Sequence, residues 1–352
     1  MVRVWIVGLG TVGRWVGNAL TVHADRLADR YGVSVVVVGV ANARDGFVYR
    51  EDGLDVPALL ASARAGRSLA EASQPGAQHW ATACDGLRAT EADVLVETAA
   101  SPASDGEPGY THMREVLQRG IPVVTSNKWP VALHGVELAE HARRRGVPFR
   151  AESSVMSGTP LLSALVDGLA GAVPIGLRGV LNATANDILT AMAGGKSYEQ
   201  ALADAQEAGL AERDPAADVE GSDTVAKVMI LAALVFGRQL RTEEVVCRGI
   251  TGVTGAEVDQ AVARGGRIRH VASLGFAEPG GAGAVDARVE PVEVGPDDPL
   301  AAIDGTTNAV VFRADPVGQV TIAGPGAGPE LAGQGVFSDL IAVARRPLRA
   351  PG

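Results

Sequence analysis

Apolar residues come in two distinct rhythms along this chain, and they change near residue 150. The first stretch alternates short buried strands with amphipathic helices. Val2–Val7 reads as a strand, Gly8–Gly13 as a tight loop and Arg14–Ala24 as a helix. Ser34–Ala41 is a continuous β-branched run, the pattern of a strand covered on both faces. Pro57–Ala72 predicts a helix, its proline in the first turn, where a missing N–H costs nothing. Asp93–Glu97 and Ile121–Thr125 predict two more buried strands with a helix over His112–Arg119 between them, and Val136–Arg145 predicts another helix. Such alternation is the doubly wound α/β pattern. Beyond residue 150 the spacing predicts helices over Pro160–Leu169, Tyr198–Ala208 and Thr224–Phe236. Strands are predicted over Leu177–Asn182, Arg269–Gly275, Ala287–Val294, Asn308–Ala314 and Val320–Ile322, which together suggest an α+β domain. Glu278–Gly283 reads as a glycine-rich turn and Arg346–Gly352 as a frayed tail.

The first turn carries chemistry. Gly8-Leu9-Gly10-Thr11-Val12-Gly13 fits G-x-G-x-x-G between a first strand and a helix. In that context the glycines allow a tight turn, a close approach to a pyrophosphate and close helix packing, and the helix N-terminus offers amides to phosphate. Gly8, Gly10, Thr11, Val12 and Gly13 are therefore candidate dinucleotide contacts in a Rossmann domain. The second strand ends Ala41-Asn42-Ala43-Arg44, with no acid until Asp45. An acid there would suit the ribose hydroxyls of NAD, whereas an arginine suits the 2′-phosphate of NADP. Arg44 thus favours NADP, with NAD the alternative.

Composition narrows the class. A net charge of −10 argues against nucleic acid or an anionic membrane as partner. Cys84 and Cys247 stand alone, without zinc or disulfide spacing. The longest apolar runs are too short to span a bilayer and the N-terminus reads as a strand, so a cytoplasmic protein is expected. Of 31 basic residues only Lys128, Lys196 and Lys227 are lysines. A lysine kept against that bias points to what arginine cannot do, which is to release a proton.

The densest candidate site runs from Gly209 to Lys227: Ala211-Glu212-Arg213-Asp214-Pro215, then Asp218-Val219-Glu220-Gly221-Ser222-Asp223, then Lys227. Asp223 and Lys227 are four apart and share a helix face. The run Val228–Phe236 is apolar all round, so its helix is buried and the lysine at its mouth lines a pocket. This segment resembles the homoserine dehydrogenase signature. Thr125-Ser126-Asn127-Lys128, Glu152–Pro160, Leu181–Leu189 and Gly324–Gly328 agree with that family in the same order, over roughly residues 2–345.

The resemblance implies an NAD(P)-dependent dehydrogenase acting on a CH–OH group, oxidising homoserine to aspartate 4-semialdehyde in amino-acid biosynthesis. It implies a Rossmann domain over residues 1–150, a catalytic and dimerisation domain over 151–320, and a segment 321–352 returning to the nucleotide domain. Lys227 would be the acid/base and Lys128 its partner at the nicotinamide end. Glu212, Asp218 and Asp223 would hold the ammonium group and the lysine, within a pocket also formed by Asn182, Ala183, Thr184, Asp187 and Leu210. Thr98, Ala99, Asn127 and Gly328 would line the cofactor. Glu152 and the carbonyls of Val155, Ser157 and Gly158 would hold sodium or potassium, which is oxygen-ligand chemistry. A homodimer without an appended regulatory domain is expected. Ala183, Ala185, Asp187, Leu210 and Trp129-Pro130 depart from the family pattern. A modified amino acid or aldehyde as substrate, or a non-catalytic NAD(P)-binding regulator, are the alternatives. A phosphorylating dehydrogenase is disfavoured because neither cysteine lies in a nucleophile motif.

Overall fold

The computed structural model describes residues 1–276 and 284–346; the expected turn Glu278–Gly283 and the tail beyond Arg346 lie outside the described residues. The chain divides into two compact units, residues 1–158 with 328–352, and residues 159–327.

The first unit holds β1 (Val2–Val7), α1 (Thr11–Val22), α2 (Ala24–Tyr31), β2 (Val35–Asn42), β3 (Gly46–Tyr49), α3 (Val56–Arg64), α4 (Leu69–Ala72) and β4 (Gln78–Trp80). It continues with α5 (Ala83–Ala89), β5 (Val94–Glu97), α6 (Gly109–Gln118), β6 (Val123–Thr125), α7 (Lys128–Arg145), β7 (Phe149–Arg150) and α8 (Ser153–Met156). The strand order is β4-β3-β2-β1-β5-β6-β7. Strands β2, β1, β5, β6 and β7 are parallel, whereas β3 and β4 add an antiparallel edge that periodicity did not reveal. The chain leaves β1 for β2 on one side and reaches β5 on the other. Strand order therefore reverses at β1, and ligand crevices open at the carboxyl ends of strands at such a point. The continuous apolar runs are explained by Val4, Ile6, Val94, Val96 and Val124, each at most 1% exposed.

The predicted helix over Pro57–Ala72 is two helices. Gly66 takes φ +74° between them, and Ser68 and Glu71 open α4 with a reciprocal capping box. A last helix (Pro329–Ala344) packs Val336, Leu340 and Val343 into the same core as β1 and α1. The closing segment thus rejoins the first unit from Gly328, while the preceding strand, Gly318–Pro325, belongs to the other sheet.

Among the described residues the second unit has six strands, β8 (Val173–Val180), β9 (Val246–Cys247), β10 (Arg267–Phe276), β11 (Val285–Val294), β12 (Thr307–Asp315) and β13 (Gly318–Pro325). Their order is β13-β12-β8-β10-β11-β9, antiparallel except for the β11–β9 pair. Val271, Val180 and Ala309 line up across β10, β8 and β12, and Leu300 and Ile303 cover that row. The helices are α9 (Ala183–Ala193), α10 (Tyr198–Glu207), α11 (Ala216–Val219), α12 (Ser222–Leu234) and α13 (Gly255–Ala263), with Pro329–Ala344 as α14. The predicted strand over Leu177–Asn182 ends instead at Val180, because Asn182 caps a helix that follows at once. The predicted helix over Pro160–Leu169 is a π-helical turn, Ala164–Gly168. Among the described residues no helix is long and apolar enough to cross a membrane.

Candidate active site

Two of the three motif glycines are required by the fold itself. Gly8 has φ +96°, and a Cβ on it would stand 2.3 Å from the Ala99 nitrogen. A Cβ on Gly13 would stand 1.9 Å from the Gly8 oxygen. Gly10 is different: its φ is −71°, its Cβ would meet nothing within 4 Å, and it is exposed. Nothing among the described residues needs glycine there, whereas a pyrophosphate approaching the backbone would. Gly10 is also the N-cap of α1, makes no side-chain cap, and is followed by no acid in the first turn. The uncapped amides of Thr11, Val12 and Gly13 therefore fit an anionic group.

Behind the loop, the Thr98 hydroxyl donates to Gly8 O at 2.7 Å and its amide to Val7 O at 2.7 Å. The Ala99 amide donates to Glu97 Oε1 at 2.9 Å. Asn127 precedes α7 at its N-cap position without a side-chain cap bond, donates from its backbone to Thr125 Oγ1 at 2.9 Å and from Nδ2 to Ser101 Oγ at 2.8 Å. Half-buried Lys128 is the first residue of that helix.

At the end of β2, Asn42 Oδ1 accepts the amides of Arg44 and Asp45. The Arg44 guanidinium lies 2.9 and 3.1 Å from the two Asp45 oxygens and donates to Arg67 O at 3.1 Å. Asp45 also accepts from Asn42 Nδ2 and the Leu69 amide. Arg44 holds the Asp45 carboxyl below the usual range, against the effect of desolvation. The acid of this turn is thus spent on the protein, while Arg44 stays 62% exposed.

In the second unit Asn182, Asp218, Asp223 and Lys227 meet. Asn182 caps α9 by accepting the Ala185 amide at 2.8 Å. Its Nδ2 donates to Asp218 Oδ1 at 2.7 Å and Asp223 Oδ2 at 3.1 Å. Lys227, only 6% exposed, places Nζ 2.7 Å from Asp223 Oδ2 and 2.6 Å from Leu181 O. The i,i+4 spacing on α12 gives the ion pair, and the end of β8 supplies the carbonyl. Asn308 is part of this cluster and was not singled out from the sequence: its Nδ2 donates to Leu181 O at 3.1 Å, and its buried Oδ1 has no hydrogen-bond partner. The polar run Thr306-Thr307-Asn308 at the head of an apolar strand was the available signal.

The other predicted pocket residues belong to this same unit. Ala183 and Thr184 begin α9, and Thr184 Oγ1 donates to Leu210 O at 3.0 Å. The Leu210 side chain is exposed, as is Glu212, whose backbone oxygen accepts from Gln206 Nε2 at 3.1 Å. Asp187 lies against Gly305 and within the field of Lys196, whose ammonium pairs with Asp204 at 2.5 Å.

Within the first unit, Glu152 is 4% exposed and opens α8, which contains Val155. Its amide donates to Asp339 Oδ2 at 2.9 Å, and Asp339 is equally buried. Ser157 ends the turn at φ +54°, and Gly158 packs against Leu331 O. Among the described residues no group of three or more His, Cys, Asp or Glu is placed to hold a metal ion.

Comparison with known proteins agrees with this geometry in both units. Residues 160–341 match the homoserine dehydrogenase family, and residues 8–152 match the homoserine dehydrogenase NAD binding domain. The chain belongs to the homoserine dehydrogenase family. It is an NAD(P)-dependent oxidoreductase of the CH–OH class. It is 38% identical over 336 residues to the NAD(+)-dependent homoserine dehydrogenase of Pseudomonas canavaninivorans, covering 96% of this chain and 94% of that one. A putative homoserine dehydrogenase from Archaeoglobus fulgidus superposes with TM-score 0.84 at 30% identity, covering 98% of this chain and 99% of the other. A hyperthermophilic archaeal homoserine dehydrogenase in complex with NADPH gives 0.79 at 29% identity, with 99% of each chain covered.

Proposed function

We propose that Lys227 exchanges the proton of the reacting hydroxyl in the oxidation of homoserine to aspartate 4-semialdehyde. The observation that carries this reading is the buried Lys227 Nζ fixed between Asp223 and Leu181 O, beside the Asn182–Asp218 contact. Bound NAD(P) supplies the acceptor for the hydride that leaves C4. As the neutral amine Lys227 takes the hydroxyl proton while the carbonyl forms, and as the resulting ammonium it returns that proton in the reverse direction. Asp223 holds Nζ in place. Asp218, itself oriented by Asn182, presents a carboxylate suited to the substrate ammonium. Lys128 is assigned to the nicotinamide and Glu212 to the amino-acid group of the substrate.

NADP is the favoured cofactor. Asp45 has its oxygens occupied by Asn42, Arg44 and Leu69, so no acid of this turn is available for ribose hydroxyls, and the guanidinium beside it is pre-oriented for a 2′-phosphate. Glu152 and the carbonyls of Val155, Ser157 and Gly158 are assigned to a monovalent cation, with Asp339 as a neighbouring carboxylate. Exposed Val173 and Ile175 on β8 favour self-association of the second unit into a homodimer. The test is purified protein with homoserine and either NADP or NAD. Turnover with NADP at the lower KM is expected. An intact nucleotide site without homoserine turnover would overturn the substrate reading, and a lower KM for NAD would overturn the cofactor reading.

A further inference from the structure

Beneath the nucleotide loop lies a buried ionisable pair that the reaction does not consume. Glu97 ends β5 and is 0% exposed; His112 lies in α6 and is 4% exposed. His112 Nδ1 stands 2.8 Å from Glu97 Oε2. Burial opposes the imidazolium charge, but hydrogen bonds with Cys84 and Glu97 and their negative field outweigh it, and the His112 pKa is held up at about 10. His112 therefore donates to Glu97 as a cation at neutral pH.

The other Glu97 oxygen is the acceptor for the Ala99 amide, at 2.9 Å. That amide is what a Cβ on Gly8 would strike at 2.3 Å, so the Gly8 backbone rests on the Thr98–Ala99 peptide. The Thr98 hydroxyl then ties down Gly8 O at 2.7 Å. A continuous line runs His112–Glu97–Ala99–Gly8, ending at the head of the loop that opens α1.

We propose that His112 and Glu97 are positioning residues for dinucleotide binding: by orienting the Ala99 amide they set the peptide on which the glycine turn is seated. Neither group touches the ligand. The pair holds the carboxylate in one rotamer, and without its histidine partner the buried carboxylate would turn away, freeing the Ala99 amide. The inference rests on the reading that the dinucleotide lies over Gly8–Gly13, and the test separates the two.

NADPH binding is titrated directly by nucleotide fluorescence for His112→Ala, His112→Asn and Glu97→Gln, with melting temperatures alongside. Asparagine places a side-chain nitrogen near the histidine Nδ1 position and can still donate to Glu97, whereas alanine cannot. His112→Ala is expected to weaken NADPH about tenfold, the equivalent of one hydrogen bond. His112→Asn should recover most of that loss. In steady state the His112→Ala defect should fall on the nucleotide KM far more than on kcat. Glu97→Gln keeps only one acceptor oxygen for the two donors, the Ala99 amide and His112 Nδ1–H, and should also weaken NADPH by about tenfold; it serves also if His112→Ala does not fold. Equal NADPH affinity in alanine and wild type, or equal losses in alanine and asparagine, overturns the proposal, as does a Glu97→Gln variant that binds NADPH like wild type. Gly10→Glu is the control: if it binds NADPH like wild type, the loop reading itself fails.

Discussion

Lys227→Arg separates the proton-transfer role of this residue from its charge. Arginine keeps a cation opposite Asp223 but does not give up its proton in a protein. Lys227→Ala, by contrast, removes the cation and leaves a cavity. The neighbours limit the damage: Leu181 O keeps the Asn308 Nδ2 bond, and Asp223 keeps Asn182 Nδ2 and is 15% exposed. Breaking a buried pair costs about 3–5 kcal/mol, and these contacts argue for the lower end. A cost of about 3 kcal/mol is tolerable for a chain whose stability is on the order of 5–15 kcal/mol. Both variants should fold and bind NADPH. Both should lose about 10²–10⁴-fold in kcat, the usual contribution of a positioned acid/base. The assay is absorbance of reduced nicotinamide under saturating homoserine, with NADPH titration and thermal melting in parallel. If Lys227→Arg retained more than about a tenth of wild-type kcat, charge would suffice and Lys227 would not be the proton-transfer group.

The remaining expectations concern single sites. Gly10→Glu should leave the melting temperature nearly unchanged, because its Cβ meets nothing, yet abolish NADPH binding; Gly13→Ala should instead unfold the loop, its Cβ falling 1.9 Å from Gly8 O. Arg44→Ala should raise the KM for NADP far more than that for NAD, since only NADP carries the 2′-phosphate, and equal changes would make Arg44 a bystander. His270, buried with Nδ1 unpartnered, has its pKa lowered to about 4 by desolvation, so the unfolded chain binds its proton first. Stability should therefore fall as pH drops from about 6.5 towards 4, by about 3 kcal/mol in full, and urea midpoints for His270→Phe should show a flatter acid limb. Asp187→Asn should change homoserine KM little, because Asp187 faces Gly305 and Lys196; a large change would return it to the substrate pocket.

Much of this was legible because the relevant physics is local. The G-x-G-x-x-G turn is read within six residues, and the structure then separates Gly8 and Gly13, which packing requires, from Gly10, whose Cβ would meet none of the described residues. The pairing of Asp223 with Lys227 follows from helix geometry, and the burial of α12 from its unbroken apolar run. Short elements were less legible: β3, β4 and β7 have two to four residues each, too few for a period to register. Helix α9 escaped because its polar start, Ala183–Asp187, reads as a loop until Asn182 is seen to cap it.

What local sequence could not supply are the contacts that chain closure brings together. Asn182 reaches Asp218 across 36 residues, and Asn308 meets Leu181 across 127. His112 finds Glu97 only because α6 packs beside β5, and Glu152 meets Asp339 across 187 residues because the last helix returns to the first core. The sequence by itself determined the change from strand–helix alternation to an α+β pattern near residue 150 and set Asp223 and Lys227 on one helix face. Tertiary structure alone decided which polar groups are buried together, because hydrogen-bond partners distant in sequence are selected by packing and leave no periodic trace in the chain.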